Sequence, residues 1–242
     1  MKKITVYGKT DVGKKRNNNQ DSILLNERTM LYAIADGMGG HKGGEIASSM
    51  ALEIIDMAVT KLIEKNSNVR IPPFLKESIS LASMKIYEKA LMDESLRGMG
   101  TTVISVLFRD DKAYISQVGD SRAYLFRDGN FWKLTEDHSL VNEQVRSGMI
   151  NRTQAERMSY KNVITRSVGF EEIVAVDIYT REVQSGDVFL LCSDGLTSML
   201  SDSEIRDRVN TDDIKGSVER LISAANEAGG QDNTTVILAR VN

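Results

Sequence analysis

Four aspartates stand at the ends of separate apolar runs, and their placement constrains the fold more than any other feature of the chain. Asp36 closes Leu31-Tyr32-Ala33-Ile34-Ala35 and opens Asp36-Gly37-Met38-Gly39-Gly40. Asp194 ends the run built on Val188-Phe189-Leu190-Leu191-Cys192 and is followed by Gly195. Asp120 ends Tyr114-Ile115-Ser116-Gln117-Val118-Gly119, and Asp232 leads into Thr235-Val236-Ile237-Leu238-Ala239. An unpaired carboxylate is expensive to bury against such runs. In an antiparallel sheet, however, the end of one strand lies beside the start of its neighbour. Four carboxylates gathered in this way on one edge of a core form a site for hard divalent cations, which offset the burial cost. Carboxylate, carbonyl and water oxygens without cysteine or histidine clusters select Mg²⁺ or Mn²⁺ over zinc.

Not every Asp-Gly carries this meaning, because the dipeptide is common in turns. Asp128-Gly129 lies between two short amphipathic strands and reads as a hairpin turn. Asp36-Gly37 differs in preceding a glycine-dense stretch that runs to Gly44 and then a helix. There the chain leaves a buried strand and turns sharply, and Gly37 lets its carbonyl approach whatever Asp36 binds.

The chain's 242 residues are 41% apolar and 27% charged, enough for one large domain with a buried core. A formal charge of −3 with interspersed signs gives no basic footprint for nucleic acid. No stretch approaches the roughly 20 apolar residues of a membrane helix, and the N-terminal residues lack the apolar stretch of a signal peptide. A single cysteine fits a reducing compartment. These features predict a soluble, cytoplasmic protein.

Two long helical patterns run from about Gly44 to Lys65 and from about Phe74 to Met92, with Pro72 and Pro73 between them. Short strands are predicted at 102–108, 113–118, 122–126 and 131–134. A polar, weakly periodic stretch of short helices and loop follows, from about Ser139 to Val168. Ser201-Asp202-Ser203-Glu204 has the form of a capping box opening a short helix. Another helix spans about Ile214–Ala228, and a last strand ends near the C-terminus. With no regular βαβ alternation, the order argues for α+β layers, and the last strand leaves no room for an accessory domain. The whole of residues 1–242 is read as one domain.

Arg16 lies in Lys14-Lys15-Arg16-Asn17-Asn18-Asn19-Gln20-Asp21, and a guanidinium near a metal cluster is suited to grip a phosphate by two parallel hydrogen bonds. Taken in order, this segment, Asp36-Gly37-Met38-Gly39-Gly40-His41, Gly98-Met99-Gly100-Thr101-Thr102, Val118-Gly119-Asp120-Ser121-Arg122, Asn162-Val163-Ile164-Thr165-Arg166, Ser193-Asp194-Gly195-Leu196 and Gln231-Asp232-Asn233-Thr234-Thr235 follow the motif order of one family. The chain resembles the bacterial metal-dependent serine/threonine protein phosphatases of the protein phosphatase 2C (PPM) family, from about Thr10 to Ala239. The resemblance implies a four-layer α-β-β-α sandwich: two mainly antiparallel sheets flanked by helix pairs, with a metal cleft at one edge. It implies that Asp36 bridges two metal ions, with Asp194 and Asp232 completing one and the Gly37 carbonyl and waters the other. Asp120, with Asp194, resembles the ligand set of a third, weaker Mn²⁺ or Mg²⁺. The implied reaction is hydrolysis of phosphoserine or phosphothreonine in protein substrates by a hydroxide shared between the two metals. It attacks phosphorus in line without a covalent phospho-enzyme, and Arg16 clamps the phosphate. A serine/threonine kinase is the implied functional opponent.

Some positions depart from the family pattern or stay open. Met38 stands where many eukaryotic members carry histidine, leaving the leaving-group acid unassigned. His41 is close by, but it reads more readily as a residue ordering the glycine-rich turn. Gln20 replaces a glutamate of some members, and Asp21 is implied to order metal-bound water. Asn233 is placed beside the metals as a supporting residue. The segment 142–166 matches the family's variable flap and reads as a substrate gate, as part of the third-metal neighbourhood, or as an ordinary surface loop.

Competing chemistries fail on spacing. Gly8-Lys9-Thr10 imitates the tail of a phosphate-binding loop, but the glycine required upstream is Lys3. Cys192 has Ser198, not arginine, six residues on, which excludes a cysteine phosphatase. No pair of aspartates separated by one residue exists for an aspartyl-phosphate mechanism. The remaining alternative is a non-catalytic phosphoprotein- or metal-binding module on a phosphatase-like fold. Such a module usually loses a ligand, whereas Asp36, Asp120, Asp194, Asp232 and Arg16 are all present.

Overall fold

The computed structural model describes residues 2–65, 69–155, 158, 160 and 163–242, with the backbone alone at His41 and Arg152. The chain opens with three strands, β1 (Ile4–Asp11), β2 (Asp21–Asn26) and β3 (Leu31–Met38), then two long helices, α1 (Gly40–Glu64) and α2 (Ile71–Met92). Strands β4 (Gly100–Thr101), β5 (Val103–Arg109), β6 (Lys112–Val118), β7 (Arg122–Arg127) and β8 (Asn130–Lys133) follow. After the short helices α3 (Leu140–Arg146) and α4 (Arg152–Ala155) come β9 (Asp177–Glu182), β10 (Val188–Cys192), α5 (Asp194–Thr197), α6 (Asp202–Arg208), α7 (Ile214–Glu227) and β11 (Thr234–Val241).

The strands form a five-stranded sheet in the order β1-β11-β10-β7-β8 and a six-stranded sheet β2-β3-β5-β6-β9, with β4 paired to β3. The pairings within both sheets are antiparallel. Three apolar layers hold the sandwich together. Tyr32, Ile34, Ile104 and Phe108 of one sheet meet Leu125, Phe189, Leu191 and Ile237 of the other in a central layer. Outside it, Ile55, Ile79 and Ile86 of α1 and α2 cover Val103 and Leu107. On the opposite outer face, Ile205, Val218 and Leu221 of α6 and α7 cover Leu190, Val236 and Leu238. The layer order is therefore α-β-β-α, as the family resemblance implied.

The local differences from the sequence reading have physical causes. Helix α1 begins at Gly40, four residues before the expected start, because its first turn carries little apolar periodicity to read. Gly39, at φ 113°, makes the reversal out of β3. Pro72 and Pro73 do not separate two helices but lie in the first turn of α2, where their missing N–H groups have no intrahelical partner to lose. Asp128-Gly129 is the two-residue hairpin between β7 and β8, with φ of 51° and 73°. Ser201 and Glu204 form the expected reciprocal cap of α6.

Candidate metal centre

Period-two alternation decides where Asp36 faces. In β3, Leu31, Ala33 and Ala35 belong to the helix-facing side, while Tyr32 and Ile34 lie in the central layer. Asp36 therefore shares the inter-sheet face, where that layer reaches its edge. Asp21 of β2 is its direct cross-strand partner. Like charges placed opposite one another destabilise a sheet, so this pair is unfavourable unless something offsets it. Asp21 is also tied across the sandwich: its Oδ2 accepts hydrogen bonds from Ser193 Oγ at 2.8 Å and Thr235 Oγ1 at 2.6 Å. Its Oδ1 is buried with no protein partner. At this edge the central layer changes from apolar side chains to carboxylates and hydroxyls.

The other three aspartates arrive from loop ends. Asp120 sits in the turn between β6 and β7, Asp194 opens α5, and Asp232 lies two residues before β11. Their electrostatics show that they gather. Burial, followed by the carboxylates of Asp21, Asp194, Asp120 and Asp232, pushes the Asp36 carboxyl well above its ordinary range. Burial, the largest cause, and the charges of Asp194 and Asp232 raise Asp21 to about 6 against its hydroxyl bonds. Burial and Asp194 raise Asp120 to about 7. Asp194 is raised by burial and Asp232, with Arg16 and Arg122 among the opposing influences. Among the described residues, no three His, Cys, Asp or Glu side chains converge as tightly as a finished ligand set. The proximity is instead visible in these mutual charge effects. Oxygen-only donors, raised carboxyls and the unpartnered Asp21 Oδ1 together fit a hard divalent cation.

Both strand–Asp–Gly segments need glycine for one reason. A Cβ on Gly37 would lie 2.0 Å from the Gly44 carbonyl oxygen, and one on Gly195 would lie 1.9 Å from that of Asn233. In each case the backbone bearing the aspartate is pressed against a second backbone segment. Gly195→Ala is therefore expected to lower stability by roughly 1–3 kcal/mol or more, since main chain must shift to admit the methyl group. A denaturant midpoint unchanged from the natural protein would refute this.

Arg16 donates from NH2 to Asp232 Oδ2 at 2.7 Å, and its side chain is half exposed. One N–H is thus engaged with the acidic cluster while the rest of the planar fork remains for other acceptors. Asn233 fastens this loop: its Nδ2 donates to the carbonyls of Val12 and Asn18, and its Oδ1 accepts from Gln20 N–H. Gln20 Nε2 donates to the Gly40 carbonyl at 2.8 Å, linking the same loop to the start of α1. The side chain of His41 and the residue Asn162 lie outside the described part of the structure.

Sequence reasoning missed several participants. Ser193 and Thr235 hold Asp21, and the Asp36 backbone is fixed from Thr101 and Thr102, with Thr102 N–H donating to its carbonyl at 2.8 Å. For Ser193 and Thr235 the nearness of Asp194 and Asp232 along the chain was the available signal; Thr101 and Thr102 have no aspartate beside them in sequence. Nothing in the sequence singled out His138. It is buried and exchanges a bond pair with Gly119, donating its N–H to the carbonyl at 3.0 Å and accepting at Nδ1 from the Gly119 N–H at 3.1 Å. That leaves Nε2 to donate to Asp177 Oδ2 at 3.0 Å, which assigns the tautomer of a neutral ring. Burial holds the imidazole pKa below its usual value, against the Asp177 bond. His138 thereby steadies the turn that carries Asp120.

Beside Asp120 and Asp194 opens a cavity of about 770 Å³, walled on one side by α3 and α4 and on the other by residues of α5 and α6.

Comparison with known proteins agrees with this architecture along nearly the whole chain. The protein phosphatase 2C family model matches residues 12–238. The chain is 43% identical over 239 residues to protein phosphatase PhpP of Streptococcus pneumoniae, covering 96% of each. The crystal structure of the Mycobacterium tuberculosis serine/threonine phosphatase PstP/Ppp superposes with a TM-score of 0.90 at 33% identity, covering 99% of both chains. A structure of the PstP catalytic domain with two manganese ions superposes with a TM-score of 0.83, at 33% identity and 98% coverage of each. On the extent of the family match and the identity to these relatives, the chain belongs to the protein phosphatase 2C family.

Proposed function

We propose that this protein is a metal-dependent serine/threonine phosphatase that hydrolyses phosphoserine and phosphothreonine monoesters in protein substrates. The observation that carries the reading is the cluster of Asp21, Asp36, Asp120, Asp194 and Asp232 at the edge of the inter-sheet layer, with Arg16 beside it. Relatives named serine/threonine phosphatases and the two manganese ions of the PstP structure support it. In this reading Asp36, Asp194, Asp232 and the Gly37 carbonyl would hold two Mn²⁺ or Mg²⁺ ions, and Asp120 with Asp194 would hold a third, weaker one. Such ions lower the pKa of water and neutralise charge on the phosphoryl oxygens.

The chain's own residues supply the rest. Water attacks phosphorus, the new P–O bond forms, and the bond to the serine or threonine oxygen breaks, with a proton passing to that oxygen. Asp21 Oδ1, unpartnered and buried, accepts a hydrogen bond from the attacking water and orients it. Arg16 grips the phosphoryl oxygens with the donors not spent on Asp232. Met38 offers no proton for the leaving group. Residues 1–242 act as one catalytic domain with a flap over about 142–166. Among the described residues no helix is long and apolar enough to cross a membrane, and we place the enzyme in the cytoplasm, opposing a serine/threonine kinase.

A phosphothreonine peptide tests this directly, assayed with and without Mn²⁺ for the natural protein and Asp194→Ala. Turnover should require metal and fall by about 10²-fold or more in the variant, the scale of removing a main electrostatic element. Metal-independent turnover, or an unchanged variant, would overturn the mechanism. Arg16→Ala should raise KM and lower kcat/KM by about tenfold, the equivalent of one charge-assisted contact of about 1.4 kcal/mol.

A further inference from the structure

The cavity beside the metal edge is too large to serve the phosphoryl group alone. At about 770 Å³ it lies within the range of pockets, roughly 300–1,000 Å³, that enclose whole ligands. Asp120 and Asp194 mark one end. From there it runs between Thr197 and Ser198 on the α5 side and Val141, Val145 and Arg146 of α3. A polypeptide whose phosphate reaches the aspartates has to lay its neighbouring residues somewhere, and this channel begins where the phosphate ends.

The channel's unspent hydrogen-bonding capacity decides which residues it accepts. Asp137 is saturated: Arg122 Nε donates to both its oxygens, Arg122 NH2 to Oδ2 at 2.7 Å and Lys133 Nζ to Oδ1 at 2.7 Å. Asp202 accepts from Tyr124 OH at 2.9 Å and faces Arg122 at 3.6 Å. Those acids and cations cancel among themselves. The Arg146 side chain, exposed at the end of α3, enters no hydrogen bond or ion pair with another described residue, so among the described residues nothing engages its five guanidinium N–H groups. Lys133 keeps two further donors. Against these, the unspent acid acceptors among the described lining residues outside the metal edge are those of Glu136 and the Oδ2 of Asp202. The surplus is in donors, and Val141 and Val145 give the same wall an apolar strip for the stem of a side chain.

We propose that this channel is a subsite for the polypeptide flanking the phosphorylated residue, and that Arg146 selects an acidic side chain there, a carboxylate or a second phosphate. A planar guanidinium binds either by a two-pronged contact. This inference rests on the phosphatase reading and adds to it which phosphoproteins are preferred.

The test compares phosphothreonine peptides carrying glutamate, phosphoserine, alanine or lysine at successive positions on each side of the phosphothreonine. The ratio of kcat/KM for acidic over alanine peptides is read for the natural protein, Arg146→Ala, Arg146→Lys and Arg146→Glu. The natural protein should prefer an acidic residue at one or more positions by about tenfold, chiefly through KM. The preference should vanish in Arg146→Ala, weaken in Arg146→Lys and turn toward the lysine peptide in Arg146→Glu. The glutamate and phosphoserine peptides distinguish a carboxylate from a second phosphate as the favoured group. A flat profile in the natural protein, or an acidic preference retained by Arg146→Ala, would overturn the subsite. A small aryl phosphate, too short to enter the channel, is assayed with Mn²⁺ on the natural protein alone. Failure to hydrolyse it would overturn the phosphatase reading, and the subsite with it, whereas hydrolysis with a flat peptide profile rejects the subsite only.

Discussion

Asp36→Asn is expected to abolish metal-dependent phosphatase turnover while raising the melting temperature of the metal-free protein. The two effects have one cause. Asp36 lies partly buried on the inter-sheet face, directly across from Asp21, with three further carboxylates raising its pKa after burial itself. Without a cation it is a desolvated group surrounded by its own charge. Replacing it with an amide of the same shape relieves that repulsion. Removing unfavourable buried charge is often stabilising by about 1–4 kcal/mol. At about 2–4 °C per kcal/mol for a chain of this size, the expected rise is several degrees. The same change removes the residue proposed to be shared by two ions, so turnover should fall by at least about 10³-fold. Calorimetry after exhaustive chelation, together with a peptide assay in Mn²⁺, checks both. A less stable metal-free variant would contradict the repulsive cluster, and an active one would contradict the bridging role.

Stabilisation by Mn²⁺ is expected to grow steeply between about pH 5 and pH 7.5. The direction follows from the carboxyl groups. Asp21 is raised from 3.8 to about 6 and Asp120 from 3.8 to about 7, in both cases mainly by burial. A group with a raised folded-state pKa holds its proton more tightly when folded. Its contribution to stability is complete below the unfolded value of 3.8 and is lost as pH rises through the folded value. The metal-free protein should therefore lose stability from these groups between about pH 4 and pH 7. Cations compete with those protons, and each proton displaced tightens apparent binding by up to about tenfold per pH unit. Melting temperatures with and without Mn²⁺ at several pH values give the difference directly. A metal-induced shift that is flat across this window would show that the ions do not displace these protons.

How much of this was legible in the chain varied with the range of the interactions involved. The hairpin at Asp128-Gly129 and the cap at Ser201–Glu204 are local, and both were readable because their geometry is set within four residues. The start of α1 was misplaced because its first turn has little apolar periodicity, and Pro72-Pro73 looked like a break where it is a helix start. The channel beside Asp120 and Asp194 was invisible. Its walls come from α3, α5 and the β7–β8 hairpin, which share no pattern along the chain. His138 was overlooked for the same reason, since its imidazole bonds Gly119 and Asp177, each many residues away.

Alternation and composition alone determined that the chain makes layered sheets and that its chemistry is oxygen-based, because strand period and donor type are properties of the residues themselves. Only the tertiary structure decided that Asp21 faces Asp36, that Ser193 and Thr235 hold it from the second sheet, and that Arg146 borders the channel. Register and sheet stacking set which distant groups meet, and those are long-range choices made by packing three apolar layers at once.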